Sequence, residues 1–322
     1  MTNRLFSFIV PVYNRPDDVR DLLQGLSQQT YTHFEVLIIE NGSTVSSEAV
    51  VQDYTDRLDI HYHLYENNGQ GFARNFGVTQ ARGDYLIFLD SDTLIPPDYL
   101  ANVQKHLEEE YLDAFGGPDR AHPSFTPVQK AIDYAMTSWL TTGGIRGKPK
   151  PAGKYYPRSF NMGFSPEVYR ATGGFAWPNS GEDIELSIRV QKAGFKVGLI
   201  PQAFVYHKRR RTLAGFWQQM VSFGRSRVNL YRLYPESLEI IHLMPLGFYG
   251  YALLLPFALF LLPPLAMLML PLLGVYLLAV GASAALQHRS LRVGGLSIAT
   301  TLIVFAGYGY GLIKTFLRKK TP

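Results

Sequence analysis

The chain of 322 residues contains no cysteine. That absence excludes disulfides, thiolate metal sites and thiol nucleophiles, and leaves carboxylates, imidazoles and hydroxyls as its reactive groups. Charge is missing from two long stretches. No Asp, Glu, Lys or Arg occurs from Leu243 to Leu286, and Val293–Ile313 is a second uncharged run. A helix needs about 20 apolar residues to cross a bilayer. The first run is therefore long enough for two crossings with a tight turn near Pro263-Pro264, and the second for one. Core helices of a soluble domain are excluded by this length, so residues 237–322 read as a membrane anchor. A signal-peptide pattern is also lacking. Leu5–Val12 is too short for a signal's apolar region and reads as a first strand, which leaves the soluble part on the cytoplasmic side of an inner or plasma membrane. No repeat and no nucleic-acid-binding module is present, so nucleic acid is not an expected partner.

What charge there is lies unevenly. The net charge is +5, and much of the excess sits near the membrane boundary, in Lys208-Arg209-Arg210-Arg211 and then Arg225, Arg227 and Arg232. Basic clusters beside apolar segments attract anionic lipid head groups. Two further basic groups flank the second apolar run: His288-Arg289-Ser290-Leu291-Arg292 before it, and Lys314, Arg318, Lys319 and Lys320 after it. Positive residues favour the cytoplasmic face, and three crossings would put these two groups on opposite faces. A hairpin followed by a third segment of undetermined depth is the expectation.

Residues 1–236 alternate short apolar runs with helical patterns. Leu5–Val12, Glu35–Ile39, Ile60–Tyr65, Tyr85–Leu89 and Ala114–Phe115 read as strands, and Asp17–Gln29, Ser46–Arg57, Gly71–Ala81, Pro97–Glu110 and Glu182–Ala193 as helices. This βαβα rhythm predicts an α/β fold with a mostly parallel, Rossmann-like sheet covered on both faces. Residues 118–180 interrupt it with Gly, Pro and aromatic residues, as a binding region would.

The chemistry-bearing residues cluster at strand ends. Asp90-Ser91-Asp92 closes the apolar run Tyr85–Leu89. Strand C-terminal ends are the ligand-binding edge of an open α/β sheet, and paired carboxylates there suit a hard divalent cation that neutralises phosphate charge. Asn68–Gly77 opens a helix with glycines, which let backbone N–H groups approach a phosphate, and Arg74 adds a fixed cation. Glu40-Asn41-Gly42-Ser43 ends the second strand, Gly181-Glu182-Asp183 begins a later helix, and His207 follows a short apolar run. Taken singly, each also reads as ordinary turn or helix-cap chemistry.

Taken in order, Pro11–Asn14, Glu40–Ser43, Asn68–Gly77, Asp90-Ser91-Asp92, Asn161-Met162-Gly163 and Gly181-Glu182-Asp183 resemble the family 2 glycosyltransferases of the GT-A fold, over residues 5–215. The resemblance implies a nucleotide-sugar donor held by Pro11, Tyr13, Glu40, Arg74 and Asp90. It implies a divalent metal, Mg²⁺ or Mn²⁺, on Asp92 with His207 as a further ligand. Asp183 would be the base that deprotonates the acceptor, with Asn161, Gly163 and Glu182 on the acceptor side and Lys148, Lys150, Lys154 and Arg158 along its approach. Direct displacement would invert the sugar's anomeric centre. Two departures stand out. Glu40-Asn41 occupies the place of an Asp pair, and Trp217-Gln218-Gln219 does not supply the Gln-x-x-Arg-Trp element of processive synthases, which points to one sugar per encounter on a lipid-linked or glycan acceptor. A nucleotidyltransferase, or a non-catalytic membrane scaffold with a degenerate nucleotide-sugar domain, are the other readings.

Overall fold

The computed structural model describes residues 3–143 and 155–318. Within them the chain forms two compact units, one of residues 3–122 and 155–208 and the other of residues 123–143 and 209–318. The first unit contains β1 (Phe6–Val12), α1 (Pro16–Leu26), β2 (Phe34–Asn41), α2 (Glu48–Gln52), β3 (Ile60–Tyr65), α3 (Gln70–Gln80), β4 (Tyr85–Leu89), β5 (Thr93–Leu94), α4 (Tyr99–Glu109), β6 (Ala114–Gly116) and β7 (Asp119–Arg120). The second begins with α5 (Pro127–Thr137) and α6 (Trp139–Thr142). The chain then returns to the first for β8 (Asn161–Phe164), α7 (Pro166–Thr172), α8 (Glu182–Lys192), β9 (Val197–Leu199) and β10 (Val205–His207). The long helices α9 (Leu213–Leu233), α10 (Met244–Leu261), α11 (Pro263–His288) and α12 (Leu291–Leu317) complete the second unit.

The main sheet runs β3-β2-β1-β4-β8-β6-β9, and a small second sheet runs β5-β10-β7. β1 and β2 are buried along their whole length, as strands covered on both faces must be. Pairing is parallel across β3, β2, β1 and β4, while β8 runs antiparallel to both β4 and β6. One core of Phe8, Val10, Val36, Ile38, Ile87 and Tyr99 fills one face of the sheet, and another of Ile9, Leu37, Ile39, Phe88, Phe164 and Leu186 fills the other. This is the α/β class expected from the sequence. The C-terminal ends of β1, β2 and β4 and the start of β8 share one edge, because Val12 registers with Glu40 and Leu89 with Asn161.

Three helix boundaries differ from expectation, the first being α1, which ends at Leu26 and not at Gln29. α2 stops at Gln52, and residues 53–58 turn on short-range bonds such as Tyr54 N to Val51 O and Arg57 N to Tyr54 O. Asp53, Thr55 and Asp56 there are residues whose side chains compete with helical backbone bonds. α4 starts at Tyr99, because Pro96-Pro97 holds the preceding backbone extended and Pro97 O accepts from Thr30 N instead.

In the second unit, Ile132, Ala135 and Met136 of α5 pack with Phe216 and Met220 of α9 and Val304 of α12. The unit holding the apolar helices thus includes α5, and the chain re-enters it at Arg209. The Lys208–Arg211 cluster is divided accordingly. Arg209 is buried and donates from Nε and Nη2 to Asp133 at 3.0 and 2.8 Å, whereas Arg210 and Arg211 are exposed. Lys208 is bound to Asp18 and Asp21, each at 2.6 Å. Only half of the cluster is left for lipid phosphates.

Three helical segments, Ile240–Leu261, Pro263–His288 and Leu291–Leu317, are long and apolar enough to cross a membrane, which fits a membrane anchor. α10 passes into α11 through Leu262, at the Pro263-Pro264 turn read from the sequence.

Small residues set how closely α3 approaches the sheet. A Cβ on Gly77 would stand 2.5 Å from Ile9 Cγ2 and 3.2 Å from Ile39 Cγ1. Gly77→Val should therefore overpack this contact and destabilise the protein by about 1–3 kcal/mol, although helix propensity alone favours valine over glycine. A denaturation midpoint equal to the parent's would show that α3 can move off the sheet freely.

Candidate active site

β4 delivers Asp90 and Asp92 beyond its last residue, and the β5–β10 ladder brings a third group to them. Pairing of His207 with Thr93 sets the imidazole beside both carboxylates, and Lys208 N donates to Asp92 O at 2.9 Å. His207 Nε2 lies 3.1 Å from Asp92 Oδ1 and 4.0 Å from Asp90 Oδ2. The ring stacks on Phe160 at 4.8 Å, which fixes its plane. Arg15, at the start of α1, pairs with Asp92 Oδ2 and lies 3.7 Å from Asp18. Burial works against ionisation of Asp92, but His207 and Arg15 prevail and hold its carboxyl well below the usual range.

These residues suit a divalent cation. One donor atom from each of Asp90, Asp92 and His207 falls within 4.8 Å of the others. Asp92 Oδ1 is buried and faces only His207 Nε2 among the described residues, and His207 Nδ1 is buried without a hydrogen-bond partner there. Carboxylate oxygens and an imidazole nitrogen are the donor set of such ions. A second carboxylate–histidine cluster, Glu35, Asp59 and His61, is already balanced, since Arg82 donates to Glu35 and to Asp59 at 2.7 Å each.

Arg74 is the hub of the site. It has no exposed surface, donates from Nη2 to Asp90 Oδ1 at 2.6 Å and from Nη1 to Glu182 Oε1 at 3.1 Å, and lies over the Phe175 ring at 5.4 Å. Gln70 Nε2 adds a bond to the same Glu182 oxygen at 2.8 Å. Three chain segments, the tip of β4 and the first turns of α3 and α8, are thereby tied together. Burial pushes the Glu182 carboxyl up from 4.5 to about 7, the Asp183 charge adds to this, and Arg74 opposes it. Asp183, next in sequence and half-buried, accepts from Ile184 N at 2.8 Å and from Ser159 N at 3.4 Å.

The glycines of α3 serve a different purpose from the one expected. Gly69 caps the helix at φ +96°, and a Cβ on Gly71 would collide with the Trp177 carbonyl. The first N–H groups are taken by Asn179 Oδ1 (Gln70 N, 3.2 Å) and Pro178 O (Gly71 N, 2.8 Å). The helix start is packed against residues 177–179, so it does not offer these amides to a phosphate.

Arg74 is buried and holds Asp90 and Glu182. The Glu40 carboxylate, 2% exposed, accepts from Ser43 Oγ, from Ser47 N at 2.8 Å and from Tyr62 OH at 3.2 Å, so it shapes the loop after β2. Asn161 is fully buried, accepts from Tyr99 OH at 2.7 Å and donates to Ala203 O at 2.8 Å. Gly163 lies mid-strand, where a Cβ would meet the Phe115 ring. Pro11 is buried in β1, whereas Tyr13 is 49% exposed at its tip. Arg158 is half-buried. Lys148, Lys150 and Lys154 lie outside the described residues. Arg15, Gln70 and Asn14 were not singled out individually in the sequence, although Asn14 and Gln70 lie within Pro11–Asn14 and Asn68–Gly77 and Arg15 follows directly on the first. Asn14 accepts from Thr44 N and Val45 N at 2.8 and 2.9 Å, knitting the loops after β1 and β2.

Removing Arg74 leaves two carboxylates facing one another without their cation. Arg74→Met should cost about 3–5 kcal/mol in denaturation experiments; a loss below about 1 kcal/mol would mean the pairs are dispensable. Glu182 predicts a pH dependence. Its folded carboxyl keeps a proton between pH 4.5 and about 7 that the unfolded chain has released. The resulting stability is complete below the lower value and disappears as pH rises through the upper one. Glu182→Gln should lack that decline, and identical slopes in parent and variant would show that Glu182 does not titrate in this window.

The family profile described as Glycosyl transferase family 2 matches residues 7–171. Among curated proteins, the putative glycosyltransferase EpsH of Bacillus subtilis is 34% identical over 106 residues, which are 32% of this chain and 30% of EpsH. The poly-beta-1,6-N-acetyl-D-glucosamine synthase of Staphylococcus aureus is 27% identical over 227 residues, 68% of this chain and 53% of the synthase. The match thus spans 30% of the length of the first of these relatives and 53% of the second. Among solved structures, the mannosyltransferase PcManGT from Pyrobaculum calidifontis, in complex with GDP-Man and Mn²⁺, superposes with a TM-score of 0.68 at 19% identity, covering 98% of this chain and 88% of that one. S. aureus TarS 1–349 in complex with UDP-GlcNAc gives 0.50 at 20% identity, covering 70% and 66%. At such identities the likeness is one of fold, here the GT-A arrangement. The family match takes in β1, the Asp90–Asp92 tip and the antiparallel strand β8 beside it, and on that match the chain belongs to glycosyl transferase family 2.

Proposed function

We propose that the chain is a membrane-anchored, inverting glycosyltransferase that moves one sugar per encounter from a nucleotide-sugar donor to a hydroxyl or phosphate acceptor, lipid-linked or part of a growing glycan. The observation that carries this reading is the Asp90–Asp92–His207 cluster, joined through Arg74 to Glu182 and so to Asp183. Asp90, Asp92 and His207 are the residues that would hold a divalent cation, Mg²⁺ or Mn²⁺, whose charge offsets that of the departing nucleoside diphosphate. Neighbours of the same fold support the donor class, since one is described with GDP-Man and Mn²⁺ and another with UDP-GlcNAc.

The chain's own residues then divide the work. Arg15, with about a third of its side chain exposed, is the cation placed to meet the diphosphate once it leaves Asp92. Tyr13, exposed at the tip of β1, is available to the nucleoside, above a loop held in shape by Glu40 and Asn14. Asp183 takes the proton of an attacking hydroxyl, and the Arg74–Glu182 pair fixes the helix start that presents it. The apolar helices support a membrane-attached enzyme, and in this reading it works at the cytoplasmic face on lipid-linked acceptors.

Two variants test the assignment separately for binding and chemistry. Asp92→Asn should lose Mn²⁺-dependent nucleotide binding in calorimetry while staying folded by circular dichroism; parent-like binding would remove Asp92 from the metal site. Asp183→Asn should keep donor affinity but lose transfer by the roughly 10²–10⁴-fold expected of a positioned base. Near-normal turnover would move the base to another residue, Glu182 first.

A further inference from the structure

The three apolar helices are not equivalent. Only 11% of the apolar window of Ile240–Leu261 and 22% of that of α11 is buried within the protein, against 50% for α12. α12 packs on α9 and α5 as well as on α10 and α11, and α9 and α5 carry charged and polar side chains. Met220 and Phe216 of α9, with Ile132 of α5, pack on Val304 at its midpoint. Thr300 Oγ1 donates to Ala131 O of α5 at 3.0 Å. Farther along, α9 and α12 run in the same direction in backbone contact. A Cβ on Gly224 would strike Tyr308 O, one on Gly311 would strike Val221 O, and Arg232 Nη2 donates to Thr315 O and Arg318 O at 3.0 and 3.1 Å.

A spanning α12 would place its midpoint at the centre of the hydrocarbon. The start of α9 would lie at that depth, together with the exposed Arg210 and Arg211 just before it and the Arg209–Asp133 pair. The exposed Gln218, Arg225 and Asn229 would follow within the same layer. Arginine is among the residues most costly to insert, and lipid offers no partner to exposed polar groups. α10 and α11 carry no such burden, for Leu253, Phe257, Phe260, Met267, Leu268 and Leu278 are exposed along them and no charged residue is present between Leu243 and Leu286.

We propose that the α10–α11 hairpin alone enters the bilayer, and that α12 lies with α9 along the lipid head-group surface, on the side from which the chain entered. Arg225, Arg232, Lys314 and Arg318 then face anionic head groups from one side, as does the Arg289 turn. The conflict over positive residues read from the sequence disappears, because a hairpin returns both basic groups to the same face. This arrangement does not depend on the reaction proposed above.

The absence of cysteine makes the full-length chain a ready background for the test. Single variants Asn229→Cys, Leu262→Cys, Gln287→Cys and Leu317→Cys would be reconstituted in sealed vesicles and treated with a membrane-impermeant maleimide. Positions 229, 287 and 317 should label from one common side, and pre-blocking from that side should abolish later labelling of all three. Leu262→Cys should resist the reagent from that side, reacting from the other or only in detergent. Labelling of Leu317→Cys solely from the side opposite Gln287→Cys would overturn the proposal in favour of a third crossing, and so would labelling of Leu262→Cys from the α9 side. A second measurement needs no cysteine: protease added on the Asn229 side should remove an epitope tag fused after Pro322, and a tag that survives intact would equally overturn it.

Discussion

A single buried guanidinium organises the catalytic unit. Arg74 has no contact with water, so its charge must be met inside the protein, and Asp90 and Glu182 meet it at 2.6 and 3.1 Å. An isolated buried charge costs several kcal/mol, and this demand draws three distant segments into one place. β4 must end where Asp90 reaches Arg74, α3 must start where Gln70 and Arg74 share Glu182, and α8 must begin beside both. Asp183 inherits its position from that constraint. Asp92, one residue beyond Ser91, is left to face His207 and Arg15.

The same logic governs the helical unit on a different scale. Arg209 and Asp133 are buried together, and Gln129 Nε2 donates to Arg209 O at 3.0 Å. They join α5 to the segment that leads into α9, and α12 packs on both helices through Val304, Gly307 and Gly311. The apolar run that becomes α12 is thus built into a core containing ion pairs and hydrogen-bonded threonines. Length and composition alone do not separate it from α10 and α11; its neighbours do.

Much of the fold was legible because its signals are local. The strands β1, β3 and β4 follow apolar, β-branched runs, α3 and α8 follow their helical spacing, and the uncharged runs mark the long helices within a few residues. Errors came where one local preference overrode another, as at Asp53–Asp56 after α2 and at Pro96-Pro97 before α4. In the site, Asp90, Asp92 and His207 stood out by residue type beside short apolar runs, and Asp183 by its place at a helix start. The burial of Arg74, Glu40 and Asn161 was not, since each looks like an available polar group until its partners are known.

The amino-acid sequence by itself determined the α/β alternation, the carboxylate pair at the end of β4, the absence of thiol chemistry and the presence of a long apolar tail. These depend on periodicity, composition and residue type over a few turns of chain. Only the tertiary structure decided that Arg74 spans Asp90 and Glu182, that His207 joins the carboxylates across the β5–β10 ladder, that the glycines of α3 admit residues 177–179, and that α12 is paired with a polar helix. Each of those facts joins residues tens to more than a hundred positions apart. Long-range charge compensation and close backbone packing bring such residues together, and no local pattern in the chain records them.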